Sequence, residues 1–199
     1  MDTFKGWYWR GYLPHLDAGD IVQSVTFRLS DSLPQENLRE FELLLAQLPE
    51  EKAKLERRTS MERWLDAGMG CGVLRHAEIA ELVEEALLRF DGERYRLIAW
   101  CIMPNHVHLL IEPLISLALI VQRLKSWTAR ACMEKAVQLG LPIPKQGFWM
   151  REYWDRFIRN DQHLHQAIDY IHTNPVKAGL CADAEAWRWS SAYQGYWRG

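Results

Sequence analysis

The feature that most constrains the fold is a pair of apolar segments, RYRLIAWCIM and VHLLIEP, which are separated by Pro104 and Asn105. Both segments contain residues that favour strands, and a Pro-Asn pair favours a turn. The sequence therefore predicts two consecutive strands joined around Pro104-Asn105. Successive strand residues point to opposite faces, so His106 and His108 are expected to project to the same side while Val107 points away.

Periodic patterns predict further elements on both sides of this strand pair. Apolar residues alternate at Val25, Phe27 and Leu29, which predicts a first strand ended by a turn. Helical spacing predicts helices, and a second alternating segment predicts a last strand. The predicted helices are 35–58, 75–90, 116–139 and 161–174, the last one halted by Pro175, and the predicted last strand is 152–159. This order is typical of the α+β class, with a small antiparallel sheet and helices on one face.

Length and composition predict a single folded unit. At 199 residues and 48% hydrophobic, the chain can bury one core, so we expect one domain over 1–199 with a helical elaboration at about 34–72. Its apolar stretches are too short or too charged to cross a membrane, and the N-terminus lacks a signal-peptide pattern, which favours a cytoplasmic location. The four cysteines form no CxxC pair, which favours packing roles over zinc or disulfide bonds.

The net charge of -2 conceals a local split. Between Asp31 and Glu93 there are 15 acidic and 8 basic residues, whereas between Leu114 and Arg159 there are 3 acidic and 8 basic residues. The basic segment also carries aromatic residues, as surfaces that bind unpaired bases do. The candidate nucleic-acid contacts are Arg123, Lys125, Arg130, Arg151, Arg156 and Arg159, with Trp127 and Trp154 as stacking residues. The alternative is a solvated helix face with aromatics that only pack.

Two imidazoles on one strand face can hold a divalent metal, although a half-exposed strand with a polar outer face explains the same pattern. The predicted helix 161–174 supplies a second element. Its apolar stripe places Tyr170 on the flank, with Asn174 one turn beyond. Glu112 lies four residues after His108 on the same strand face, where it can orient a ligand histidine.

The motifs MPNHVHLLIE, DYIHTNPVKAGL and WRWSSAY together resemble those of the REP-associated tyrosine transposases. These are relatives of the single-strand insertion-sequence transposases with HUH chemistry. The resemblance extends to RGYLPHLDAGD, FDGERYRLIAWCIMPNHVH and FWMREYWDRFIRND, so it covers most of the chain, and it is weakest between Pro34 and Gly68.

The resemblance implies a ferredoxin-like or RRM-like HUH fold, with His106 and His108 as metal ligands and Tyr170 as the nucleophile. The insertion-sequence relatives carry a glutamine four residues after the tyrosine, and here that position is Asn174. Tyr153 is the rival nucleophile. The implied activity is a Mg²⁺- or Mn²⁺-dependent cleavage and rejoining of single-stranded DNA near REP-type hairpins, through a 5'-phosphotyrosine.

Two questions stay open at this stage. The chain can act as a monomer or as a homodimer. It can also be a domesticated protein that binds structured single-stranded DNA or RNA without cleaving it. Intact His106, His108 and Tyr170 favour the enzyme, because a protein that only binds does not need all three.

Overall fold

The computed structural model describes Phe4 and residues 6–9, 14–33 and 35–193. The strands, in chain order, are β1 (Gly6–Trp9), β2 (Pro14–Asp17), β3 (Gln23–Arg28), β4 (Tyr95–Ile102), β5 (His106–Pro113) and β6 (Trp154–Phe157). The helices are α1 (Gln35–Leu45), α2 (Glu50–Asp66), α3 (Ala77–Arg89), α4 (Leu117–Gln138) and α5 (Asp161–Lys177).

A four-stranded sheet with the order β4-β5-β3-β6 forms the centre of the fold, and all neighbouring strands are antiparallel. The α+β class and the strand pair around Pro104-Asn105 are confirmed. The last strand is shorter than predicted, because it covers Trp154–Phe157. The antiparallel hairpin of β1 and β2 precedes the sheet and was not predicted.

Helices cover both faces of this sheet, so the expectation of helices on one face was wrong. The larger core cluster contains Leu109 of β5 together with buried residues of α3 and α4. The smaller cluster contains Leu110 of β5, Ile171 of α5 and the partly buried Tyr170. Nearly every residue of β5 is buried, since its apolar run packs on helices from both sides.

The predicted helix 35–58 is two helices. Pro49 has extended backbone angles (φ -54°, ψ 143°) and lies immediately before α2. Proline has no backbone N–H and restricts the residue before it, so the chain turns between Leu45 and Glu50 and a second helix begins after the proline. None of the helices in the described ranges combines the length and the apolarity that a bilayer span requires.

The predicted end of the last helix at Pro175 was also wrong, because α5 continues to Lys177. The fixed φ of proline is compatible with a helix, and the bonds that follow it are formed: Ala178 N donates to Asn174 O at 3.0 Å, and Leu180 N donates to Pro175 O at 2.9 Å. The helix ends at Lys177, and Gly179 two residues later has a φ of +69°, the left-handed conformation typical of the residue after a helix end. Lys177 therefore lies on the same helix as Tyr170.

Candidate active site

His106 and His108 lie on the same face of β5, as their spacing predicted, and α5 covers this face. Their side chains are 0% and 3% exposed. The neighbouring strand β3 pairs Thr26 with His108 and Arg28 with His106, so these four side chains share one surface of the sheet. Buried imidazoles on a sheet need polar partners, and the two strands supply them.

The two imidazole rings face each other through their Nε2 atoms, which are 2.9 Å apart. Each Nδ1 atom has a partner of its own: Asn105 Oδ1 lies 2.7 Å from His106 Nδ1, and Thr26 Oγ1 lies 2.8 Å from His108 Nδ1. Asn105 Nδ2 donates to the carbonyl oxygens of Leu65 and Met69. Because the amide nitrogen is used there, Asn105 Oδ1 accepts the Nδ1 proton of His106, and the lone pair of His106 is on Nε2.

Burial keeps both histidines neutral. It lowers the pKa of His106 well below the ordinary value, and the nearby His108 lowers it further. Burial lowers the pKa of His108 to about 3. Both imidazoles are therefore uncharged at neutral pH, which is the protonation state that a metal ligand requires.

Tyr170 approaches this pair from α5. Its ring meets the ring of His108 edge to face, with the centroids 5.4 Å apart. The tyrosine is half-buried beside the apolar cluster that contains Ile171, so its ring packs while its position at the margin leaves one side open to solvent. The fold thus brings together two sequence motifs that are more than 60 residues apart.

Asn174, one turn beyond Tyr170, is fully buried. Neither Oδ1 nor Nδ2 of its carboxamide has a hydrogen-bond partner among the residues that the structure describes. A buried amide without partners costs about 1–3 kcal/mol per group. Such a buried, unpaired amide can be satisfied by a bound ligand, water or ion.

The donor atoms fit a divalent cation. Two metal–nitrogen bonds of about 2.1 Å at a right angle separate their nitrogens by about 3.0 Å, and the Nε2 atoms of His106 and His108 are 2.9 Å apart. Within the described ranges there is no cluster of three or more His, Cys, Asp and Glu side chains that could hold a metal. The candidate ligand set is therefore two imidazoles and the Asn174 carboxamide, with other positions left for water or substrate.

Tyr153, the rival nucleophile, lies on the opposite side of the sheet. It is 2% exposed and belongs to the larger core cluster. Its hydroxyl oxygen is 2.8 Å from that of Tyr8, and its ring lies 4.4 Å from the ring of the buried His15. Tyr153 therefore ties the N-terminal hairpin to the core, away from His106.

The predicted DNA-contact residues fall on two sides of the molecule. Trp154 and Arg156 pair with Thr26 and Ser24, so they project to the face that carries the histidines. Arg159 lies just after this strand, with its guanidinium 5.3 Å from the ring of Phe157. Trp154 and Arg156 therefore lie on the histidine face, whereas Phe157, which Arg159 contacts, points to the other face.

The remaining predicted contacts lie on or beside α4, which covers the other face of the sheet. Four of these side chains are exposed: Arg123, Trp127, Arg130 and Arg151. The Lys125 ammonium instead donates to the carbonyl oxygens of Met150 and Arg151 at 2.6 and 2.7 Å, so two of its three protons are used inside the protein.

Sequence reasoning missed the two residues that orient the histidines. Asn105 was interpreted only as part of a turn, and Thr26 as a residue of an ordinary strand. Glu112, which was expected to orient a ligand, instead binds the exposed Arg96 at 2.8 Å. The sequence did indicate a role for Asn105, because a polar side chain directly before a buried histidine pair is expected to be buried as well and to need hydrogen-bond partners in the site.

Known proteins resemble this chain in sequence and in fold. The profile of a family described as "Transposase IS200 like" matches residues 75–174, a segment that contains both histidines, Tyr170 and Asn174. A protein named as a REP-associated tyrosine transposase from Haemophilus influenzae is 32% identical over 106 residues, which are 50% of this chain and 60% of that protein. The REP-associated tyrosine transposase of Escherichia coli is 24% identical over 123 residues, covering 60% of this chain and 68% of that protein.

A solved structure shares the fold. It is described as a REP-associated tyrosine transposase bound to a REP hairpin, and it aligns with a TM-score of 0.54 at 18% identity. The alignment covers 96% of this chain and 91% of the other. The helical elaboration of α1 and α2 lies outside the segment that the family profile matches.

Proposed function

Because the chain belongs to the family of IS200-like transposases, we propose that it is a metal-dependent transesterase that cleaves and rejoins single-stranded DNA through Tyr170. The observation that carries the proposal is the contact of the Tyr170 ring with His108, at 5.4 Å between centroids. The buried, unbonded carboxamide of Asn174, one helical turn beyond Tyr170, supports it as a further candidate ligand.

In the proposed reaction, Tyr170 Oη bonds to the phosphorus of a DNA phosphodiester while the bond from phosphorus to the 3'-oxygen breaks. The phenolic proton passes to solvent, and the departing 3'-oxygen takes up a proton. The products are a 5'-phosphotyrosine and a free 3'-OH, so attack by that or another 3'-OH rejoins the strand without ATP. The protein's part is to hold Tyr170 in line with the phosphorus and to keep its ring packed against His108.

His106, His108 and Asn174 are the residues that would hold the cation. When bound there, Mg²⁺ or Mn²⁺ neutralises phosphate charge as a Lewis acid. Of the two ions, this ligand set favours Mn²⁺, since Mg²⁺ prefers sites made entirely of oxygen. Asn105 and Thr26 each bind the Nδ1 atom of one imidazole and so hold the two rings with their Nε2 atoms facing each other.

We infer a hairpin-forming single strand as the substrate. The solved relative is described as bound to a REP hairpin, and in this chain Trp154 and Arg156 lie on the histidine face, where stacking and phosphate contacts would guide the strand to Tyr170. DNA as substrate is consistent with the expected cytoplasmic location.

The test uses an end-labelled single strand that contains a REP-type hairpin, incubated with the protein and Mn²⁺ or Mg²⁺. A covalent protein–DNA adduct on a denaturing gel is expected from the wild type, and none from Tyr170→Phe. Tyr153→Phe is the matched control, since it removes the same hydroxyl on the other side of the sheet. Tight hairpin binding with no adduct under any metal condition would instead support a regulatory protein that only binds.

A further inference from the structure

Lys177 lies over the proposed nucleophile. Because α5 continues through Pro175, Lys177 is seven residues, or about two turns, beyond Tyr170 and on the same flank of the helix. Its Nζ atom is 5.0 Å from the centroid of the Tyr170 ring. The lysine side chain is exposed while the ring is half-buried, so an anion that reaches Tyr170 from solvent meets this ammonium.

Asp66 carries a carboxylate from the helical elaboration towards this lysine. It is the last residue of α2, and Asn105 Nδ2 donates to the carbonyl oxygens of Leu65 and Met69 on either side of it, at 3.2 and 3.0 Å. These bonds fix the end of α2 relative to the strand that begins with His106. The backbone on both sides of Asp66 is therefore held close to the strand that carries the histidines.

The Asp66 carboxylate is partly buried and lies within electrostatic range of Lys177. Its Oδ1 atom is buried and has no hydrogen-bond partner within the described part of the chain. Burial raises the pKa of Asp66, and the positive charge of Lys177 partly offsets that rise. The carboxylate and the ammonium are thus electrostatic neighbours, and the same ammonium lies over the tyrosine ring.

We propose that Lys177 is a further catalytic residue, whose ammonium binds a non-bridging oxygen of the phosphate that Tyr170 attacks, and that Asp66 is a positioning residue for this ammonium. The inference rests on the proposed function. It places a fixed positive charge where negative charge grows in the transition state. Both residues lie outside the matched segment 75–174, and the elaboration would contribute to the chemistry indirectly, through the effect of Asp66 on Lys177.

A purely structural role for Lys177 makes different predictions. A lysine in the last turn of a helix stabilises it through the helix dipole, typically by a few tenths of a kcal/mol. In that case, Lys177→Met would change stability slightly and leave the rate of adduct formation at saturating DNA unchanged. A general phosphate contact would weaken hairpin binding without slowing the chemical step.

The experiment measures the single-turnover rate constant of adduct formation at saturating hairpin DNA, together with the hairpin Kd. Lys177→Met is expected to reduce the rate constant about 10²-fold, with the Kd within about threefold of the wild type. Lys177→Arg should restore part of the rate. Lys145→Met is the matched control, because it removes an exposed lysine from the loop after α4, and it should behave as wild type.

Asp66→Asn tests the positioning role. It should reduce the rate constant in the wild type but cause no further loss in Lys177→Met, because the carboxylate acts only through the ammonium. An equal loss in both backgrounds would overturn the role of Asp66. A wild-type rate for Lys177→Met, or a loss confined to Kd, would overturn the role of Lys177 while leaving the proposed function intact. Absence of any adduct from the wild type would refute both.

Discussion

Replacing Asn105 by alanine tests how strongly the elaboration and the histidine site depend on each other. The Asn105 side chain is fully buried and makes three hydrogen bonds, at 2.7 Å to His106 Nδ1 and at 3.2 and 3.0 Å to the carbonyl oxygens of Leu65 and Met69. Alanine removes all three and leaves the three partner atoms without this side chain. One substitution therefore disturbs both the metal ligand and the end of α2.

The magnitude follows from those three bonds. Each intramolecular hydrogen bond contributes about 1 kcal/mol net, and a buried partner left without a bond raises the loss, so we expect a destabilisation of about 3 kcal/mol. For a chain of this size that lowers Tm by about 6–12 °C. Loss of the Nδ1 acceptor also frees the orientation and tautomer of His106, which should weaken Mn²⁺ binding about 10- to 100-fold.

Thermal unfolding and calorimetric titration with Mn²⁺ measure the two effects. Asn160→Ala is the matched control. Asn160 caps α5 through a 2.8 Å bond from His163 N to its Oδ1, so its loss should cost about 1 kcal/mol and leave Mn²⁺ affinity unchanged. A Tm shift below about 2 °C for Asn105→Ala, or an unchanged Mn²⁺ affinity, would refute the proposed role of this residue.

Three further predictions concern the nucleophile, the histidines and the DNA surface. Tyr170→Phe should abolish the covalent adduct while hairpin affinity survives, and Tyr153→Phe should keep the adduct; peptide mapping of DNA onto Tyr153 would contradict this. The free energy of unfolding should fall as the pH drops from about 7 to 5. In the unfolded chain, histidines with a pKa near 6.5 bind protons in this range, whereas in the folded chain the lowered pKa values of His106 and His108 keep them unprotonated. The double variant His106→Gln/His108→Gln should reduce the change in the free energy of unfolding with pH by up to about 1.4 kcal/mol per pH unit for each histidine. The same pH dependence in the double variant and the wild type, measured by urea titrations, would exclude the effect. Hairpin affinity should decrease steeply with salt concentration, and Arg156→Ala should reduce the slope of log affinity against log salt concentration by about one. An affinity that does not change with salt would exclude phosphate contacts as its main source.

The parts of the fold that follow from local patterns were predicted correctly. The alternation of Val25, Phe27 and Leu29 predicted β3, which contains the first two, and all three are buried in the larger cluster. The shared face of His106 and His108 follows from the two-residue period of a strand, so no tertiary information was needed. The residues alone also placed Tyr170 and Asn174 on one flank of a helix.

The parts that depend on long-range packing were not predictable from the residues. No periodicity indicates that α5 covers the opposite face from α3 and α4, and the approach of Tyr170 to His108 was implied only by the resemblance to a family. Pro175 was interpreted as a stop signal, although a proline interrupts a helix only where its missing N–H or its ring cannot be accommodated. Asn105 has a turn-forming residue type, which concealed its role in the hydrogen bonds of the site.

The energetics of the site are consistent with a bound ligand. The carboxamide of Asn174 is fully buried and has no hydrogen bond among the described residues, which costs about 1–3 kcal/mol per group. Burial keeps His106 and His108 neutral, and their Nε2 atoms contact each other at 2.9 Å. In the proposed function, a cation held by these three side chains would offset the cost at Asn174 and replace the contact between the two imidazoles. The half-buried position of Tyr170 at the rim would then let the phosphate reach the hydroxyl from the solvent side while His106 and His108 stay enclosed.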